Sequence, residues 1–191
     1  MISGPSGTGK GAICAGLEVK ANVMLSVSMT TRAPREHEVE GESYYFIDKD
    51  RFRAVIAEGG FFEYAEIYGE YYGTPKAPVL AGLSEGRDII LEIEVNGAKQ
   101  AKDSVPDAIL VFVLPPSLEE LKRRIESRGT ETPERIARRL ERVKMEIGRI
   151  SEYDYLIIND ELPDAIDDML AIMRAEKLRV GAGVSGIINK F

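Results

Sequence analysis

An α/β fold built on a largely parallel sheet covered by helices is predicted by three features of this 191-residue chain. Apolar strand-like runs alternate with helix-like stretches, the pattern of strands joined through covering helices. A glycine-rich turn stands between the first apolar residues and the first helical pattern. An aromatic-rich segment, residues 29–85, then interrupts the alternation and reads as a small insertion with its own strands.

Taken in order, the strands expected in the core are Met1–Ser3, Leu25–Ser28, Ile89–Ile93, Ile109–Leu114 and Tyr155–Ile158. The first is short for a central strand. Within the insertion, "YYFI" (44–47) and "FFEYAEIYGEYYGTP" (61–75) are strand-like, and Gly69-Glu70 suits a hairpin turn. Asp48–Glu58 reads as helical, the one helix of an otherwise antiparallel unit. Ser117-Leu-Glu-Glu120 has capping-box spacing, with the hydroxyl serving an amide three residues on and Glu120 reaching back. Thr132-Pro133 supplies a cap followed by proline at the first helical position, and Pro163-Asp164 opens a last amphipathic helix running to about Glu176. Between Arg128 and Thr132, "RGTET" separates two arginine-rich helices, the arrangement a lid would use.

Composition sets bounds on function. Hydrophobic residues make up 44% and charged residues 30%, ordinary values for a globular domain. No apolar run approaches the ~20 residues of a membrane helix, and "MISGPSG" lacks the basic start and apolar stretch of a signal peptide. Cys14, the single cysteine, reads as a small buried hydrophobe and fits a reducing cytoplasm. A net charge of −7 argues against general nucleic-acid binding. The charge is uneven, however: Lys122 to Lys144 carries nine Lys/Arg against four Asp/Glu. Such a basic island in an acidic chain suggests a focused anion site.

Gly4-Pro5-Ser6-Gly7-Thr8-Gly9-Lys10 satisfies the spacing G-x-x-x-x-G-K between strand and helix. Glycines let backbone amides converge on phosphate oxygens, and the helix start favours negative charge there. Lys10 is placed to bridge β- and γ-phosphates. Gly11 stands where a metal-binding hydroxyl is expected. The amide cradle survives that change, but direct metal coordination by the loop does not, so Mg²⁺ is expected on phosphates, water and a carboxylate of another strand.

A second anion clamp is suggested by Arg32 and Arg35 with Tyr44 and Tyr72, two guanidinium forks and two phenols suited to a phosphate dianion. With these residues the chain resembles guanylate kinases from Ser3 to about Val180. The matching stretches are "GPSGTGKG", "SVSMTTRAPR-x-x-E", "GEYYGTP", "LEIEVNGA", "PPSLEELKRRIESRGTET" and "IINDEL". The resemblance implies a P-loop NTPase-type parallel sheet in one domain, residues 1–191. Its core would be 1–28, 86–120 and 145–191, its GMP-binding mixed α/β insertion 29–85 and its helical lid 121–144.

The activity implied is transfer of the γ-phosphate of MgATP to GMP, and to dGMP, giving ADP and GDP in purine nucleotide metabolism. Gly4 to Gly11 would hold ATP. Arg32, Arg35, Tyr44 and Tyr72 would grip the GMP phosphate. Guanine differs from adenine in its N1–H and 2-amino donors and its O6 acceptor. Carboxylates suit the donors, so Glu63 and Glu94 would accept from the base, while Ser28 and Thr74 can donate to O6. Glu92 and Glu94 end an apolar strand and point to one face. Glu92 is assigned to Mg²⁺ through water and Glu94 to the base, with the reverse assignment left open. Arg124 and Arg128 match lid arginines, and Arg139 matches one on the next helix; with Lys10 they would neutralise charge on the transferring group. Asn159-Asp160 would lie near the adenine end. His37 stands where the family usually has a small residue and is expected to be exposed. A non-catalytic module of the same fold generally loses the phosphate loop, which is intact here. A kinase of this fold acting on another monophosphate is the remaining alternative.

Overall fold

A computed structural model of the chain describes residues 1–67, 69–127 and 133–180. The "RGTET" break with Arg128 and the Thr132 cap lies outside the described residues, as does the tail from residue 181.

The parallel sheet forms around β1 (Ile2–Ser3), which runs parallel to β8 (Val111–Leu114), itself parallel to β9 (Tyr155–Ile158). On the other side, β2 (Val23–Leu25) pairs in parallel with β7 (Asp88–Ile90). A bridge between Ile2 and Glu92 joins the two groups, Ile2 N–H donating to Leu91 O at 2.8 Å and Ile2 O accepting from Ile93 N–H at 3.1 Å. The resulting order is β2-β7-β1-β8-β9.

The central strands are mostly apolar because helices pack on both faces of the sheet. One face packs Ile2, Val111, Val113 and Ile157 against Ile13, Cys14 and Leu17 of α1 (Lys10–Lys20) and Ala165, Ile166 and Met169 of α7 (Leu162–Lys177). Cys14 is buried as expected, and burial pushes its thiol pKa up to about 12. The other face packs Leu91, Ile93 and Leu110 against Val79 of α3 (Lys76–Ser84) and Ala98 and Ala101 of α4 (Val95–Ser104).

Residues 29–75 form a second, four-stranded sheet of order β4-β3-β6-β5. Its centre is the antiparallel pair β5 (Phe61–Ile67) and β6 (Glu70–Pro75), with Gly69 at φ +84° in the turn. β3 (Met29–Thr30) is antiparallel to β6 but parallel to β4 (Tyr45–Phe46), so the unit is mixed and not simply antiparallel. α2 (Lys49–Ala57) is capped by the Asp48 carboxylate, which accepts from Arg51 N–H at 2.7 Å. It packs Phe52 on Phe61, ring centroids 4.5 Å apart.

Three expectations need correcting. The second core strand lies earlier than Leu25–Ser28: pairing with β7 ends where Ser26 N–H donates to Ile90 O, and the chain then crosses to β3. The 29–85 segment holds two helices, and the second, α3, buries Val79 on the parallel sheet. At α5 (Leu118–Glu126), Ser117 Oγ accepts from Glu120 N–H at 3.0 Å, but the Glu120 carboxylate is held by Arg123 and Arg124 and does not reach back. Charge-assisted bonds to two guanidiniums outcompete one backbone amide. No helix among the described residues is long and apolar enough to cross a membrane.

Candidate active site

The phosphate loop runs from β1 into α1 at the carboxyl end of the parallel strands. Gly4, Gly7 and Gly9 have φ values of +140°, +95° and +91°. At Gly9 the constraint is also steric, since an added Cβ would lie 2.2 Å from Asn159 Nδ2. Asn159, 4% exposed at the end of β9, donates to Thr8 O at 2.8 Å. Thr8 Oγ1 in turn donates to Pro5 O at 3.0 Å. Lys10 curls back over the loop, its Nζ donating to Gly4 O at 2.6 Å and Pro5 O at 3.1 Å. Burial lowers its pKa, opposed by the carboxylates of Glu92, Glu94 and Glu146.

Glu92 and Glu94 follow β7 and alternate with buried Leu91 and Ile93, as strand geometry requires. Glu92 is solvent-accessible yet crowded by the surrounding wall, which raises its pKa against the opposing pull of Lys10. A Cβ at Gly11 would lie 3.6 Å from Glu92 Oε2, so this carboxylate stands beside the position of the absent hydroxyl.

In the second sheet, β5 and β6 pair Glu63 with Thr74. Glu63 is 8% exposed, and its Oε1 accepts from Thr74 Oγ1 at 2.6 Å. Gly97 in the first turn of α4 admits the carboxylate: a Cβ there would lie 2.5 Å from Glu63 Oε2. Burial raises the Glu63 pKa, the Thr74 hydrogen bonds lower it, and Glu94 adds a smaller upward push. Ser28, at the start of this sheet, is half-buried, its carbonyl accepting from Tyr45 N–H at 2.9 Å.

At the outer end, Arg32 Nε donates to Tyr72 Oη at 3.2 Å, and the guanidinium lies 5.6 Å from the Tyr44 ring centroid. Its two terminal nitrogens donate to both oxygens of Glu38 at 2.9 and 2.8 Å. Bonding to Arg32 first, and to Arg35 N–H second, holds the Glu38 pKa down to about 2. Arg35 joins the cluster through that backbone bond, while its side chain is exposed. Arg32, Tyr44 and Tyr72 thus come together as the sequence suggests, with Glu38 as their organiser. The chain positions Glu38 six residues from Arg32, but nothing local marks the pair as bidentate.

Of the basic island, Arg124 bonds Glu120 at 2.6 Å, Asn159 O at 2.9 Å and Asp160 O at 3.3 Å, at the flank of the phosphate loop. Arg139 is half-buried on α6 (Pro133–Ile147). Two further residues of α6, Arg142 and buried Glu146, escaped sequence reasoning; their i,i+4 spacing matches an ordinary solvated helix pair. His37 is exposed as expected.

The guanylate kinase family model matches residues 1–176. The chain belongs to the guanylate kinase family. A guanylate kinase of Clostridium tetani is 50% identical over 180 residues, covering 94% of this chain and 86% of that protein. One from Thermus thermophilus is 50% identical over 181 residues, covering 95% and 82% respectively. The crystal structure of guanylate kinase from Anaplasma phagocytophilum is similar with a TM-score of 0.77 at 30% identity, over 99% of this chain and 92% of that one. This guanylate kinase is an ATP:GMP phosphotransferase, a nucleoside-monophosphate kinase on a P-loop α/β fold.

Proposed function

We propose that the two clusters facing each other across the cleft are the acceptor and donor sites of this transfer. The observation that carries the reading is the acceptor side: one sheet presents a phosphate clamp (Arg32, Tyr44, Tyr72) and a buried carboxylate–hydroxyl pair (Glu63, Thr74). Their chemistries match the two ends of a purine monophosphate. Arg32, Arg35, Tyr44 and Tyr72 bind the GMP phosphate. Glu63 and Glu94 accept from guanine N1–H and the 2-amino group; Ser28 donates to O6, and Thr74 does so by turning its single hydroxyl proton from Glu63 to the base. Adenine would leave the buried Glu63 acceptor unpaired, at a cost of about 1–3 kcal/mol. The same geometry accommodates GMP and dGMP, since none of these groups is assigned to the 2′-hydroxyl.

On the donor side, the amides of residues 4–11 cradle the ATP phosphates, and Lys10 exchanges its loop carbonyls for β- and γ-oxygens. Arg124, Arg128 and Arg139 gather around the transferring group from residues 121–144, acting as a lid over the core and closing toward the insertion of residues 29–75. Closure excludes water and brings donor and acceptor into line. The acceptor phosphate is already an anion, so no general base is needed, and electrostatic stabilisation carries the rate.

The donor set also fits Mg²⁺. Glu92 supplies a hard oxygen beside Gly11 and Lys10, the kind of partner that holds this ion through water while phosphates take the inner positions. When bound, Mg²⁺ would offset negative charge on the phosphates. Gly11→Ser restores a hydroxyl next to Glu92. It is expected to lower the Mg²⁺ concentration giving half-maximal rate by up to about tenfold, and an unchanged or weaker Mg²⁺ requirement would refute the placement.

Arg35→Ala tests the acceptor clamp. Its exposed side chain makes it a mild change for the fold, so the effect should fall on substrate. KM for GMP is expected to rise about 10- to 100-fold, the worth of a charge-assisted hydrogen bond of ~1.5–3 kcal/mol, with KM for ATP unmoved. Equal KM values for variant and parent would remove Arg35 from the clamp.

A further inference from the structure

Arg142 lies in the basic island, on α6. Its guanidinium forks between two carboxylates. Nε donates to Glu146 Oε1 at 2.7 Å, one turn further along α6, and Nη2 donates to Glu94 Oε2 at 2.7 Å, where β7 gives way to α4. Glu146 is 7% exposed, whereas Glu94 opens onto the cleft. Glu94 therefore stands among three other carboxylates: its charge raises the pKa of Glu63, Glu92 and Glu146. Crowding of like charges favours a swing of the side chain away from the group. A guanidinium on one oxygen opposes that swing.

We propose that Arg142 is a positioning residue for guanine recognition. By occupying Oε2 it keeps Glu94 aimed, leaving Oε1 to accept from the base. It also connects α6, the helix that carries Arg139, to the base-reading end of the acceptor site. The inference rests on the reading of Glu94 as a base contact.

As a stabilising contact alone, a half-exposed ion pair is worth little. The bond to Glu94 is therefore visible in substrate kinetics, whereas loss of the bond to buried Glu146 shows in the melting temperature. The test compares Arg142→Ala, Arg142→Lys, Glu94→Gln and the double variant Arg142→Ala/Glu94→Gln, with GMP and with IMP, which lacks the 2-amino group. Arg142→Ala is expected to raise KM for GMP roughly three- to thirtyfold, the scale of coupling between contacting charged groups. Preference for GMP over IMP should shrink in step, KM for ATP should stay put, and Arg142→Lys should recover part of the loss. In the Glu94→Gln background, Arg142→Ala should add less than about twofold.

An unchanged or lower GMP KM in Arg142→Ala overturns the proposal, as does an equal effect in both backgrounds. Failure of the underlying reading looks different. If Glu94→Gln leaves the GMP-to-IMP preference intact, Glu94 does not contact the base, and the positioning role falls with it.

Discussion

Lys10→Met is expected to lower kcat by about 10²- to 10³-fold while the fold persists, the typical cost of removing one preorganised donor from a developing charge. The geometry explains why the loss should fall on kcat. Lys10 spans the loop from the first turn of α1 to the carbonyls of Gly4 and Pro5, so its ammonium already lies over the mouth of the amide cradle. Three carboxylates nearby favour its charged form against burial. A methionine keeps the length of the stem and removes only the charge and its donors. Single-turnover measurement of ADP formation, with Tm as a control on folding, separates the step from substrate binding. A kcat within threefold of the parent would show that the loop amides suffice without the lysine.

Glu63→Gln carries the second large effect. The amide keeps the volume and can still accept from Thr74, but it loses the charge and offers one acceptor where the carboxylate offers two. KM for GMP should rise about 10- to 100-fold, with turnover of AMP little changed, so the guanine preference narrows by the same factor. Retention of full preference would assign base recognition elsewhere. The pH dependence supplies a second reading of the same group. Burial holds the Glu63 pKa above the ordinary value of 4.5, so the free enzyme protonates this carboxyl at a higher pH than an exposed one would. GMP affinity should fall as pH drops through that raised pKa, and the Gln variant should lose the dependence. For stability the sign is opposite. A carboxyl whose folded pKa is raised contributes stability that is fully present below 4.5 and is lost as pH rises through the folded value. At neutral pH and without nucleotide, Glu63→Gln should therefore be no less stable than the parent.

Much of this was legible in the sequence because it is local. The phosphate loop announces itself by glycine spacing, and the Asp48 cap and the helix after it follow from residues three and four apart. Core strands show as apolar runs because a parallel sheet is covered on both faces. The remainder depends on partners distant in the chain. Where β2 stops is decided by β7, about 65 residues later. Arg142 and Glu94 are 48 positions apart, and their bond has no local signature. Glu38 is closer to Arg32, but its role needs a turn that returns the carboxylate to the guanidinium with both oxygens aligned. Even the partial capping box follows this rule, since Arg124 is held by the carbonyls of Asn159 and Asp160 and takes Glu120 with it.

The amide of Asn159 that grips Thr8 O joins positions 151 residues apart. The ribosome makes this loop 151 residues before its anchor, so the loop waits for β9 before Asn159 can hold it. Order in the loop of a growing chain should therefore appear only once β9 has emerged.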